Sequence, residues 1–278
     1  MSISTRSVDE LRAVSTELRV DIIEMLEKAG SGHPGGSLSE IDMLVCLFLG
    51  GVLDVDPSNP QWEDRDRFVL SKAHCTPGMY ATLARAGFFE RDELFTFRTF
   101  GARLQGHVDR LRVPGIDFSG GSLGQGLSAA VGMALAGKLK QASWSVWCMN
   151  GDGETQEGQV WEAILFAGNA GLDNLRLVVD GNKVQQTGFV ADIQDLAPLG
   201  DKLRAFKWHT IEVDGHDHDA FLRACDEAKA TTGKPTAILA DTAKGKGVSW
   251  MELDYNWHGK APNREQADRA IAEIQGVR

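Results

Sequence analysis

The chain has 278 residues with 29 basic and 39 acidic side chains, a formal net charge of −10. That balance excludes nucleic-acid binding by bulk electrostatics, because a phosphate backbone is held by clustered Lys and Arg. Hydrophobic residues make up 42% and charged residues 24%, an ordinary globular composition that excludes disorder. At this length a chain buries about 75% of its unfolded surface on folding. No linker, repeat or low-complexity tract interrupts it, so a single domain over 1–278 is expected. Cys46, Cys75, Cys148 and Cys225 lie far apart with no CxxC pair, which suits a reduced, cytoplasmic setting better than a disulfide framework. Met1–Arg19 has no apolar stretch of signal-peptide length, and no window resembles a membrane span.

In chain order, Val8, Leu11, Val14, Leu18, Ile22, Met25 and Leu26 recur at helical spacing and predict an amphipathic helix over residues 8–29, stopped at Gly30. A Gly-rich loop follows, then an apolar helix from Ser39 to about Leu49. Arg67–Leu70 reads as a short buried strand and Thr76–Ala86 as a helix. Small residues between Gln125 and Lys140 predict a tightly packed helix leading into a strand at Trp144–Met149. A helix at Gln159–Ala170 and a strand at Leu175–Asp180 complete a right-handed crossover unit. His209–Val213 and Thr236–Asp241 read as further strands, with Asp219–Thr231 and Asn263–Gln275 as helices. Such alternation predicts a doubly wound α/β fold with a mostly parallel sheet.

Two motifs carry the chemistry. Asn150-Gly151-Asp152-Gly153-Glu154 follows one strand, and Asp180-Gly181-Asn182-Lys183-Val184 follows the next. Neighbouring parallel strand ends would bring the Asp152 carboxylate and the Asn182 amide oxygen to one cation, and hard oxygen ligands favour Mg²⁺ or Ca²⁺ bridging to a diphosphate. Amides of the loop and helix start would face the phosphate. Each motif alone also describes a tight turn; the pair at this spacing points to a site. Four histidines, His33, His74, His107 and His258, stand in loop motifs, three of them beside a glycine, where an imidazole is free to meet a ligand. Of the other three, His209 reads as structural. His216 and His218 suggest a metal, yet they precede a helix that Asp217 or Asp219 would cap, and the cap is preferred.

Gly-Asp-Gly followed about thirty residues later by Asn resembles the signature of thiamine diphosphate enzymes. The ordered motifs Ser31-Gly32-His33-Pro34-Gly35-Gly36, Leu70-Ser71-Lys72-Ala73-His74, Gln105-Gly106-His107, Gly121-Ser122-Leu123-Gly124-Gln125-Gly126 and Trp257-His258-Gly259 narrow the resemblance to transketolase. The resemblance implies that Asp152, Asn182 and the Val184 carbonyl hold the metal, that Gly151 and Gly153 line the diphosphate, and that Glu157 supports this loop. It places Gly121 and Leu123 against the aminopyrimidine and His74 and His258 near diphosphate and substrate. His33 and His107 would contact the ketose hydroxyls, so that His33, His107 and His258 are the catalytic candidates. Ser122, Val108 and Gln186 depart from the usual proline, proline and apolar residue.

The carboxylate that activates the aminopyrimidine belongs, by the same resemblance, to a following domain absent from these 278 residues. The expectation is therefore a diphosphate-binding subunit working with a C-terminal transketolase subunit in an α2β2 assembly. It would transfer a two-carbon ketol unit between sugar phosphates. Alternatives are a deoxyxylulose phosphate synthase or a 2-oxo acid dehydrogenase alpha subunit, which the His33 and His258 motifs disfavour, and a non-catalytic diphosphate-binding module. Arg98 and Arg103 are read as surface ion pairs rather than channel residues.

Overall fold

The computed structural model describes residues 7–277. Residues 1–6, the start of the stretch read as free of an export signal, and residue 278 lie outside the described residues. Helix α1 (Val8–Ala29) begins with a reciprocal capping box between Ser7 and Glu10 and ends at Gly30 in the left-handed conformation, φ 63°. Helix α2 (Pro34–Leu49) starts five residues before the expected Ser39. Pro34 suits the first helical turn, while Gly35 and Gly36 are poor helix formers held there by packing. A Cβ on Gly36 would lie 2.5 Å from Cys75 Sγ, and one on Gly35 would lie 3.0 Å from the Trp257 carbonyl oxygen. Every residue of α2 is buried, the mark of a helix enclosed on all sides.

Five parallel strands form the sheet in the order β1 (Arg67–Leu70), β2 (Val146–Gly151), β3 (Leu175–Gly181), β7 (Thr236–Asp241), β6 (His209–Asp214). Side chains alternate between two cores, as a sheet covered on both faces requires. On β2, Trp147 and Met149 enter one cluster with α1, α2 and α3 (Thr76–Ala86), while Val146 and Cys148 enter the other with α4 (Gln125–Lys140) and α5 (Gly158–Ala170). β1 and β7 end where predicted, β3 and β6 run one residue further and β2 two, so the Gly-Asp-Gly motif begins inside β2. Three features were not expected: a hairpin of β4 (Val184–Gln185) and β5 (Gly188–Phe189), and the short helices α6 (Val190–Gln194) and α7 (Leu199–Ala205). Asp217 caps α8 (His218–Ala230) by accepting from the Asp219 and Ala220 amides, and Asn263 caps α9 (Arg264–Ile274). All four cysteines are free and buried. Among the described residues no helix is long and apolar enough to cross a membrane.

Candidate active site

Gly151 ends β2 in register with Asp180 of β3, so the two motifs leave the carboxyl edge of the sheet as neighbours. The Asp152 amide donates to the Asp180 carbonyl at 3.2 Å. Asp152 Oδ2 accepts from the Lys183 amide at 2.6 Å and Oδ1 from the Gly153 amide at 2.7 Å. Lys183 takes a left-handed φ of 72°, turning the chain so that Val184 follows Asn182 around the same corner. Asn182 Nδ2 donates to Asp180 Oδ2 at 2.9 Å. A carboxylate only accepts, so this bond fixes which end of the amide faces Asp180 and leaves Oδ1 on the Val184 side, where it accepts the Val184 amide at 3.3 Å.

Beneath this corner lies a buried polar network that the sequence did not announce. Asp180, fully buried, accepts from Ser39 Oγ at 2.6 Å and also from Lys72 and Thr242. Burial works to raise its pKa, and Lys72 together with the hydroxyls overrides that and holds it below the usual carboxylate range. Lys72 Nζ also lies 2.7 Å from a carboxylate oxygen of Glu40. Burial pushes the Glu40 pKa up to about 8 against the pull of Lys72. At Asp152 burial, then the nearby Asp180 charge, raise the pKa. Lys244, buried at the carboxyl side of β7, donates from Nζ to the Val184 carbonyl at 2.7 Å.

These groups border a cleft of about 230 Å³ whose walls include His74, Leu123, Gly151, Asp152, Gly153, Glu157, Asn182, Val184 and His258. Lys72, Cys75, Glu154, Gln186 and Lys244 line it as well. Gly151 and Gly153 offer it space rather than donors, because their amides are already bonded to Glu154 and Asp152. The expected loop support is likewise divided. Glu157 is exposed and packs against Gly124, whereas Glu154, buried, accepts from Ser71 Oγ at 2.5 Å, the Gly124 amide at 2.8 Å and the Gly151 amide at 3.1 Å. One carboxylate thus ties together the loops after β1, before α4 and after β2.

The resemblance paired His33 with His107, but the structure groups His33 with His74 and His258 and leaves His107 apart. His33, His74 and His258 form a ring cluster with centroids 5.0, 5.2 and 5.6 Å apart. Burial is the main cause that lowers their pKa values, to about 4 for His33 and about 3 for His258, and well below the ordinary value for His74. His33 and His258 each keep a buried Nδ1 without a hydrogen-bond partner. His107 is exposed, 3.8 Å from where a Gly121 Cβ would stand, and His33, His107 and Gly121 lie outside the cleft wall proper. By contrast His209 bonds Glu227, His218 bonds Ser15, and His216 spans Asp42 and the Ala243 amide, all structural. Among the described residues no three His, Cys, Asp or Glu side chains gather as a metal site. The oxygen set of Asp152, Asn182 and Val184 carries one carboxylate and two neutral oxygens, so a hard cation there needs anionic oxygens from a ligand.

Arg103 forms the expected pair with Glu93, with Nη2 at 2.6 Å. Arg98 does not: among the described residues it makes no ion pair, and its buried Nε has no partner. Val108 is buried and Ser122 exposed.

Residues 8–276 match the family described as transketolase, thiamine diphosphate binding domain, and the chain belongs to that family. It is 43% identical over 266 residues to the 6-deoxy-6-sulfo-D-fructose transketolase subunit SqwG of Clostridium sp. (strain MSTE9), covering 96% of each chain. It is 37% identical to an apulose-4-phosphate transketolase subunit of Phocaeicola vulgatus, over 96% of this chain and 94% of that one. Against the solved transketolase of Leishmania mexicana the TM-score is 0.90 at 30% identity, covering 98% of this chain and 42% of that chain.

Proposed function

We propose that this chain is the thiamine diphosphate-binding subunit of a two-chain transketolase, transferring a two-carbon ketol unit from an anionic ketose to an aldose in the cytoplasm. The observation that carries the reading is that the Asp152 and Asn182 motifs leave adjacent parallel strand ends and that Asp152, Asn182 and Val184 line one cleft, with His74 and His258 in its wall. Support for two chains comes from the relatives. Those named as subunits are matched over 96% and 94% of their own length, while mouse transketolase is matched over 42%. The partner would supply the activating Glu, and two copies of each chain would form the assembly.

The residues fit the cofactor. Asp152, Asn182 Oδ1 and the Val184 carbonyl would hold Mg²⁺ or Ca²⁺ against the diphosphate. Lys244, His74 and His258 border the same cleft with a cation and imidazole donors for its anionic oxygens. Leu123 lines the cleft, and by the resemblance it and Gly121 would receive the aminopyrimidine. When bound, thiamine diphosphate supplies the carbon nucleophile and the electron sink for the two-carbon unit. This chain's own work would be orientation and proton transfer. By the resemblance, His33 and His258 would take the proton from the donor C3 hydroxyl, with His107 holding the C1 hydroxyl.

The deciding experiment purifies the chain alone and together with its C-terminal partner, then measures ketol transfer from a ketose phosphate and carbon transfer from pyruvate. Transfer from the ketose by the pair only is expected. Robust turnover by the chain alone would overturn the two-chain reading, and preference for pyruvate would overturn the transketolase reading.

A further inference from the structure

The side of the cleft built by the Asp152 and Asn182 loops is short of hydrogen-bond donors. The Gly151 amide is engaged by Glu154 at 3.1 Å, the Gly153 and Lys183 amides by the two oxygens of Asp152, and the Val184 amide by Asn182 Oδ1. A diphosphate brings acceptor oxygens and needs donors around it. One polar group on this side is unengaged. Gln185 lines the cleft, its Oε1 is buried without a hydrogen-bond partner, and among the described residues its Nε2 bonds to no group of the chain. Gln186 lines the cleft too but is exposed, where water satisfies it. A carboxamide part-buried with no bond has lost water without replacement, which points to a partner that arrives from outside the chain.

The backbone around Gln185 is fixed on both sides. Val184 before it is held at its amide by Asn182 and at its carbonyl by Lys244, and Gln185 itself pairs with Gly188 across the β4–β5 hairpin. Its side chain lies on Gly153, where a Cβ would stand 3.2 Å from Gln185 Cβ and 3.4 Å from Oε1. With Oε1 turned onto Gly153, the end left for the cleft is the Nε2 donor. Gly153 thus acts by being bare: its own amide serves Asp152, and its missing side chain makes room for a donor from the neighbouring loop.

We propose that Gln185, seated on Gly153 one residue beyond the Val184 carbonyl, anchors the cofactor by donating from its carboxamide Nε2 to an anionic oxygen of the diphosphate. The assignment rests on the thiamine diphosphate reading above, because it takes this cleft as the diphosphate site. A neutral donor suits the position better than either charge. A carboxylate here would face both Asp152 and the diphosphate. An ammonium would compete with a divalent cation for Asp152 and for the Val184 carbonyl, which Lys244 already touches. A carboxamide holds an anionic oxygen and leaves the cation's ligands alone.

The test is calorimetry on the assembled two-chain enzyme at fixed Mg²⁺ with two probes: thiamine diphosphate, and inorganic pyrophosphate, which lacks both rings. The variants are Gln185→Met, Gln185→Ala and Gln185→Glu. A hydrogen bond to a charged group, about 1.5–3 kcal/mol, corresponds to about 10- to 100-fold in Kd. Gln185→Met keeps the length and loses the donor, so both probes should bind more weakly by that factor. Gln185→Glu turns the donor into a charged acceptor and should weaken both further. Gln185→Ala also lacks the donor and gives the same reading should Gln185→Met not fold. Wild-type affinity for pyrophosphate in the donor-free variants overturns the proposal; if thiamine diphosphate alone weakens, Gln185 serves the rings. A Gln185→Glu variant that binds as tightly as wild type overturns it too, by making Gln185 an acceptor in the cation's surroundings. Failure of the wild-type enzyme to bind either probe strikes the thiamine diphosphate reading and this proposal with it, whereas tight wild-type binding with indifferent variants strikes the proposal alone.

Discussion

The Lys244 ammonium lies 2.7 Å from the carbonyl oxygen of Val184, the backbone atom that the motif assigns to a metal. A cation already prefers this oxygen, and Lys244 is held there although burial lowers its pKa. Lys244 lines the same cleft as Asp152, where its charge would meet the anionic oxygens of a diphosphate. Lys244→Met should weaken cofactor binding to the assembled enzyme by about 10- to 100-fold, the range for losing one charge-assisted bond. Calorimetry with thiamine diphosphate at fixed Mg²⁺ measures it, and wild-type affinity would remove Lys244 from the site.

Asp152 brings the only carboxylate to the oxygen corner formed with Asn182 and Val184. Asp152→Ala is expected to abolish the metal dependence of cofactor binding rather than merely scale it, since two neutral oxygens hold a divalent ion poorly. Titrating Mg²⁺ into the cofactor-saturated variant and into wild type distinguishes the two; matching curves would refute the metal assignment.

Alanine at His33, His107 or His258 should lower kcat/KM for the ketose by about 10²- to 10⁴-fold, as loss of a general base does. Metal affinity should stay at the wild-type value, because none of the three bonds the Asp152 corner. Donor kinetics at the wild-type level in all three variants would refute their role.

The same burial makes the isolated chain acid-sensitive. In the unfolded chain these imidazoles take up protons as pH falls through about 6.5, whereas folded His33 waits until about 4 and His258 until about 3. Below the unfolded value the unfolded state binds more protons, so stability present above pH 6.5 is lost progressively toward pH 4. Urea midpoints of wild type and of a His33→Asn, His258→Asn double variant at pH 7 and pH 4.5 test this. The variant should lose less between the two, and an equal loss would assign the acid sensitivity elsewhere.

Asp42, buried on α2, accepts from both terminal nitrogens of Arg19 at 2.9 and 2.6 Å and from His216 at 2.8 Å. Removing one partner of a buried pair strands the other charge, so Asp42→Ala should cost about 3–5 kcal/mol. Thermal and urea unfolding would show it; a change under about 1 kcal/mol means that Arg19 finds water.

The sheet and its main helices were legible because their signals are local. β2 and β3 read as continuous apolar runs, α1 as a clean amphipathic stripe, and the Asp152 and Asn182 motifs as glycine-broken strand ends. The start of α2 was not, since Gly35 and Gly36 are chosen by contacts with Trp257 and Cys75 far along the chain. The β4 and β5 strands of two residues each are too short for any period to show. Lys72, Asp180 and Glu40 read as ordinary charges until the fold buries them together, and Lys244 stands among other lysines and glycines. Its one local signal was its place just beyond the carboxyl end of a parallel strand. Arg98 and Arg103, five residues apart, look alike in sequence; only Gly106 beneath one and Glu93 beside the other separate them.

Asp180 draws its bonds from distant stretches of chain: Ser39 lies 141 residues away, Lys72 108 and Thr242 62. Asn182 Nδ2 is held by that carboxylate, so the Asp152–Asn182 corner would need these distant segments in place. It requires α2, β1, β3 and β7 to be assembled, contacts of high sequence separation that carry a loop-closure cost. Cofactor capture is thereby confined to finished molecules. A ligand at about a hundred times its Kd that ignores the unfolded chain adds about 2.7 kcal/mol to stability, and here that increment would reach the whole sheet at once. Without bound cofactor that increment would be absent from the whole sheet.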